Sequence, residues 1–206
     1  HDQPAAQLRH IPHQHLLPPL LKKLETMGFS HQAITLIIAT GAHPPMAAAE
    51  FSRVVPEEIL SRYRVISHDC DNTANLISLG ETSRGTPVQV NRTYAEADLR
   101  IVVGNLEPHQ FQGFSGGVKS AAIGLAGRET INTNHAWMTA SQARLGEFKH
   151  NPARQDVEEI GAMIGIHLAL NVIMNDHKEI VRVLAGQPDE VIAAGIPLVR
   201  TIFQVD

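Results

Sequence analysis

Apolar and polar positions along the chain predict an alternation of helices and strands. Residues 16–27 place leucines at 16, 17, 20, 21 and 24, a helical stripe, and Gly28 supplies a C-terminal stop. Residues 34–40 (ITLIIAT) are a β-branched, nearly continuous apolar run, the pattern of a strand buried on both faces of a parallel sheet. A helix over 45–55, a strand over 63–67 and an alternating, half-buried strand over 86–91 come next, the last preceded by a turn at Thr82-Ser83-Arg84 and Gly85. Residues 99–103 (LRIVV) read as another buried strand, ending at Gly104. From 105 to 127 the chain carries Gly113, Gly116, Gly117, Gly124 and Gly127 and reads as loop, a length at which structureless connections are usually functional or disordered, and Phe111, Phe114 and Lys119 argue for function. Beyond it the pattern predicts helices over 128–138 and 157–166 and strands over 168–174 and 179–185 joined at Asn175-Asp176. A helix over 189–194 and a strand-like end at 197–205 complete the pattern. The alternation implies an α/β fold, a largely parallel sheet flanked by helices in a single principal domain. Residues 1–15, rich in Pro, Gln and His without periodicity, read as an extended or disordered arm ahead of a domain over 16–206.

Composition narrows the function. The 206 residues are 43% hydrophobic and 18% charged, enough to bury one good core. A net charge of -4 without a basic stripe argues against nucleic acid as a partner. No apolar run approaches the roughly 20 residues of a membrane-spanning helix, so no membrane is expected either. One cysteine, Cys70, excludes an internal disulfide, and the N-terminus lacks the order of a signal peptide, which makes the cytoplasm the expected location. The chain begins at His1 and stops directly after the strand-like end, so both ends read as incomplete.

Histidine is the compositional excess, twelve in all, and imidazole is both a proton carrier near neutrality and a metal ligand. His43 follows the 34–40 strand and Gly41; His109 follows the 99–103 strand. The pair is expected at the carboxyl edge of one sheet, where acid–base work or a metal site is at home. Gly113-Phe114-Ser115-Gly116-Gly117-Val118-Lys119-Ser120 has glycines that let backbone N–H groups approach an anion and a lysine to add charge. It is not a G-x-x-x-x-G-K-[ST] loop, because the glycine before Val118-Lys119 is displaced by one residue. The Lys119 amine also suits a covalent link to a cofactor. His135, beside Asn132 and Asn134, reads either as a metal ligand or as a core histidine. His68-Asp69-Cys70-Asp71 fits no standard zinc spacing and reads as a turn.

Taken in order, Ile38-Ala39-Thr40-Gly41-Ala42-His43, Thr82-Ser83-Arg84-Gly85-Thr86-Pro87, Glu107-Pro108-His109 with the glycine-rich run to Lys119, and Gly127-Arg128-Glu129-Thr130-Ile131 with Asn134-His135 closely resemble the N-terminal domain of the nickel-pincer lactate racemases. The resemblance implies a racemase or epimerase of a 2-hydroxy acid, lactate or a relative. Its cofactor would be the nickel-pincer nucleotide, a pyridinium-3,5-bisthiocarboxylic acid mononucleotide carrying nickel. By the same resemblance Lys119 is the covalent tether and His135 the protein ligand completing a square-planar site whose soft donors suit Ni(II). His43 and His109 become acid and base on opposite sides of the stereocentre: one takes the hydroxyl proton while the C2 hydride moves to the pyridinium ring, and return to the other face needs a proton donor there. Gly116 and Gly117 would fold close around the cofactor, and Ser83 and Arg84 are candidates for its phosphate by their chemistry. Arg9 stands for the family's carboxylate-binding arginine, with Ala6 and His10 where the family has aspartate and proline. Proteins of cofactor synthesis are implied as partners, a homo-oligomer is left open, and the family's closing C-terminal domain is expected to be absent from this chain. Two other readings of the same residues are a non-catalytic nucleotide- or metal-binding domain and a zinc hydrolase built on His43, His109 and His135.

Overall fold

The structure is a computed structural model that describes residues 12–205, with the side chains of residues 12 and 13 outside the description. Arg9 and the rest of the N-terminal arm lie outside the described residues. Helix α1 (Pro12–Thr26) begins four residues earlier than the leucine stripe predicts, and buries Leu16, Leu17 and Leu21. Strand β1 (Thr35–Ile38), the short helix α2 (Glu57–Leu60) and strand β2 (Arg64–Ser67) follow, with β1 and β2 paired in parallel. The expected helix over 45–55 is a 3-10 segment, Ala48–Arg53, that buries no residue: without an apolar face nothing holds a longer helix against the core. Because β1 pairs with β2 alone, its four residues are half-buried rather than enclosed on both faces.

Strand β3 (Leu76–Glu81), which the pattern analysis missed, pairs antiparallel with β4 (Pro87–Asn91), and the short helix α3 (Arg92–Ala95) follows. Strand β5 (Ile101–Asn105) leads into the segment expected to be loop. That segment holds a tight hairpin, β6 (Pro108–His109) with β7 (Gly113–Phe114), and then the short helix α4 (Lys119–Ala122); helix α5 (Arg128–Ala136) follows where a helix over 128–138 is expected. Helix α6 (Pro152–Ile164) starts at an Asn151 cap, whose side chain accepts from Arg154 N, and stops at Gly165 in the left-handed region. Strand β8 (Leu168–Met174) lies parallel to β5 and antiparallel to β9 (Ile180–Gly186), with the Asn175 turn between them as expected.

Helix α7 (Pro188–Phe203) replaces the expected strand-like end. Its buried Val191, Ile192, Gly195 and Val199 recur at helical spacing, so the period there is 3.6 despite Pro197 within the helix.

The α/β class and the single domain are as expected, while among the described residues the strands divide among four small sheets rather than one. The main core joins β4, α4, α5 and α6 through Val88, Val90, Ala121, Ile131, Val157 and Ile160. A second cluster, Leu106, Phe114, Ile173, Ile192 and Val199, closes α7 over the hairpin. None of the described helices is long and apolar enough to cross a membrane.

Candidate active site

The division into small sheets changes where the histidines sit. His43 follows β1 and His109 follows β5, so they stand beyond two different sheets and not on one edge. The His109 ring meets Phe111 edge-on at 4.9 Å, and Phe111 in turn meets His135 at 5.0 Å. Lys119 stands close enough for its charge to act on both histidines. His109, Phe111, Lys119 and His135 therefore form one cluster.

Each member is held from behind. Gly116 and Gly117 both have left-handed φ, 76° and 58°, and turn the chain into α4 so that Lys119 is its first residue. A Cβ at Gly117 would lie 2.6 Å from Ile192 Cγ1 and 3.2 Å from Arg154 Nη2, so the turn is too closely packed for a side chain. Arg154, fully buried, donates to the carbonyls of Phe114 at 2.8 Å and Gly116 at 3.1 Å, and pairs with Glu158 at 2.6 Å. From the other side Asn171 Oδ1 accepts from Gly117 N at 2.8 Å. On α5, Thr130, Ile131 and Asn134 face inward and leave His135 half-buried toward Phe111.

His43 is placed differently. It is exposed, and none of its ring contacts joins it to the cluster among the described interactions. Its loop is tied by Gly41 N to Gly124 O at 3.0 Å, by Thr40 Oγ1 to His68 O at 2.8 Å and by Arg128 Nη1 to Ala42 O at 3.3 Å. Arg128 is itself fixed by a two-pronged bond to Asp71 at 2.8 and 2.6 Å. The segments that carry Lys119 and His135 thus also hold the loop of His43. Arg128, Asn132 and His135 recur at i, i+4 and i+7, one face of α5, and the first two line an open cleft of about 420 Å³.

Burial sets the protonation of the cluster. The His109 ring is pushed down to about 4, by burial first and then by the charges of Lys119, His135 and Arg154. Lys119 is pushed down to about 8 by burial and by Arg154, with Glu107 opposing. His135 is lowered by burial and by Lys119; the Ile131 carbonyl opposes this, yet Nδ1 of His135 makes no hydrogen bond of proper geometry and stays buried without a partner. Since the folded His109 takes its proton only near pH 4 and the unfolded one near 6.5, stability that is present above 6.5 is lost as pH falls through that window. Denaturant titrations at pH 7 and pH 5 are expected to show a smaller acid loss in His109→Gln than in the parent. In Lys119→Met, NMR titration is expected to find the His109 pKa raised but still below 6.5, because burial remains.

Other expected site residues are engaged elsewhere. Ser83 bonds Glu159 through its N–H at 2.5 Å and its hydroxyl at 2.7 Å, and Arg84 pairs with the same carboxylate at 3.6 Å. His68 is a satisfied core histidine, wholly buried, with Nε2 on Ala126 O at 2.9 Å and Nδ1 on Asn91 Nδ2 at 3.2 Å. Asp69, Cys70 and Asp71 offer ligand atoms within 4.8 Å of one another, but Asp71 is committed to Arg128 and Asp69 Oδ1 accepts Asp71 N as a turn requires. Sequence reasoning missed Gln112, Arg154, Asp156 and Asn171, all wholly buried. The one available signal was a lone polar residue inside an apolar strand, Asn171 in LALNVIM.

A family model described as lactate racemase N-terminal domain matches residues 7–146. The chain is 29% identical over 199 residues to the lactate racemase of Lactiplantibacillus plantarum and 30% identical over 200 residues to that of Thermoanaerobacterium thermosaccharolyticum. Each alignment covers 96% of this chain and 47% of the relative, so the chain spans about half the length of the curated relatives it matches. The solved lactate racemase apoprotein from T. thermosaccharolyticum superimposes with a TM-score of 0.89 at 30% identity, over 94% of this chain and 47% of that one. A crystal structure of a Thermotoga maritima protein, with a TM-score of 0.78 at 20% identity over 95% of this chain and 52% of that one, shares the fold. The chain belongs to the lactate racemase N-terminal domain family.

Proposed function

We propose that this domain is the cofactor-binding part of a 2-hydroxy acid racemase, acting on lactate or a close relative through a nickel-pincer nucleotide. The observation that carries the reading is the cluster itself: a half-buried amine, two histidines and an aromatic spacer, backed by the Gly116-Gly117 turn. Two features fit a metal-bearing group linked to lysine. Nδ1 of His135 is buried without a partner, and Lys119, pushed down to about 8, keeps an appreciable neutral and hence nucleophilic fraction near neutral pH. Buried acceptors at Asn105 Oδ1 and Gln112 Oε1 also lack partners, on the segments that border the cluster.

In this reading Lys119 holds the group covalently and His135 ligates its nickel, while the bound group supplies a hydride acceptor for C2 of the substrate. His109 is neutral at physiological pH and His43, reached from solvent, stands apart from it, so the two act as proton carriers on different sides of the substrate. Ser83 and Arg84 are left out of the phosphate site because an anion there would have to displace Glu159. The substrate carboxylate is assigned to Arg9, and closure over the site to a further domain. The cytoplasm is the proposed location.

The test is the intact mass of the full-length protein purified from cells that make the cofactor. A covalent adduct and bound nickel are expected, both lost in Lys119→Ala together with exchange of the C2 hydrogen of lactate. An unmodified lysine without nickel would overturn the reading. An adduct without C2 exchange on any 2-hydroxy acid would reduce it to a binding domain.

A further inference from the structure

Helix α5 bears Arg128 at its first residue and His135 near its end, about 10 Å apart along the axis. Both ends of the helix are fixed. Asn134, wholly buried, donates from Nδ2 to Asp156 Oδ2 at 2.8 Å and to Ala153 O at 2.9 Å, and Arg128 N donates to Cys70 O at 3.0 Å. From this base the Arg128 side chain reaches two loops at once. Nε and Nη2 donate to the two oxygens of Asp71, and Nη1 donates to Ala42 O at 3.3 Å. A planar guanidinium has its donors spread over three nitrogens as this needs, and an ammonium does not. The loop of His43 has other ties at its ends: Thr40 Oγ1 to His68 O, Gly41 N to Gly124 O and Met46 N to Ser67 Oγ at 2.9 Å. Between them His43 N bonds back to Thr40 O at 3.2 Å, Pro44 and Pro45 have no N–H, and residues 42–45 are exposed. Among the described interactions, Arg128 is thus what joins the middle of this loop to the rest of the molecule.

We infer that Arg128, aimed by Asp71, is a positioning residue for His43. It refers the loop of His43 to the helix that carries His135, so that α5 sets the separation between proton carrier and metal ligand. This rests on the reading of His43 as a proton carrier. Such a group works only within hydrogen-bond reach of its target, and a misplacement of about 1 Å can cost about a hundredfold in rate. Both members of the pair are exposed, and exposed pairs add little to stability. Removing it is therefore expected to leave the fold and the His109 side of the site in place while the loop of His43 loosens.

The experiment uses the full-length protein in two states. Without cofactor, ¹⁵N relaxation is expected to give order parameters of about 0.85 for the amides of Ala42 and His43 in the parent, and below about 0.6 in Arg128→Gln and in Asp71→Ala. With cofactor, Arg128→Gln is expected to slow exchange at C2 of lactate about tenfold, the worth of one charged hydrogen bond, with the Lys119 adduct and nickel retained. Arg128→Lys, which keeps the charge but cannot hold Asp71 and Ala42 together, is expected to behave as Arg128→Gln does. In a His43→Gln background the same change is expected to cost less than about twofold, because no carrier is left to place. Parental order parameters in Arg128→Gln would overturn the inference. So would an equal loss of exchange with and without His43, which would mean that Arg128 acts through the fold at large. A protein that exchanges no C2 hydrogen fails the racemase reading, and the relaxation data then decide by themselves whether Arg128 holds the loop.

Discussion

In the cofactor-loaded full-length protein, His109→Gln is expected to lower racemisation by roughly 10²–10⁴-fold in both directions while the Lys119 adduct and bound nickel persist. Glutamine keeps much of the shape and can still accept the Gln112 backbone N–H that His109 Nδ1 accepts at 3.2 Å, but its amide neither takes up nor releases a proton. Two carriers that must act in one turnover behave as a unit, so His43→Gln is expected to cost a comparable factor and the double variant little more than either single one. Rates of hydrogen exchange at C2 in the three variants, set beside their intact masses, check this. Parental turnover in His109→Gln would remove that residue from the mechanism, and loss of the adduct would show that it builds the site instead.

Arg154→Met is expected to destabilise the domain by about 3 kcal/mol, at the lower end of what breaking a buried ion pair costs, because Glu158 keeps 24% side-chain exposure and regains some water. Methionine fills much of the volume, yet the carbonyls of Phe114 and Gly116 lose their donors inside the fold. The same change removes a positive charge that helps hold Lys119 down, so the Lys119 amine is expected to become more basic. Urea unfolding measures the first effect, and the pH dependence of amine labelling at Lys119 the second. A loss below about 1 kcal/mol would mean that the glycine turn does not depend on Arg154.

How far these features could be read from the chain depends on the range of the interactions that make them. Strands β5 and β8 and helix α6 announce themselves because a local apolar period coincides with the buried face. The end of the chain misled because Ile196, Pro197, Leu198 and Val199 are apolar in succession, and only the docking of α7 on Leu106 and Phe114 shows which of them face inward. His43, His109, Lys119 and His135 were legible as motifs. That His109 and His135 share Phe111 as a neighbour was not, since it needs the hairpin and α5 to meet. The pairing of Ser83 and Arg84 with Glu159 was equally hidden, 76 residues separating Ser83 from its partner. Arg154 and Asp156 lie just ahead of the helix expected over 157–166 and look like ordinary polar positions of a connection; the groups they bond across the fold lie 22 to 74 residues away.

The two proposed proton carriers are mounted with unequal stiffness. His109 sits in a hairpin backed by the buried bonds of Gln112 to Asn134 and of Asn134 to Asp156, whereas the loop of His43 is held at its ends through Thr40, Gly41 and Met46 and in its middle through Arg128 and Asp71, whose side chains are 42% and 61% exposed. Exposed pairs of this kind hold weakly and are screened by salt. Anything that presses on the open side of the molecule, a closing domain or a change of ionic strength, therefore has its leverage on His43. On the proposed function, His109 is the fixed side of the site and His43 the adjustable one, so adaptation to a differently sized substrate is expected to run through the loop of residues 40–46 rather than through the hairpin.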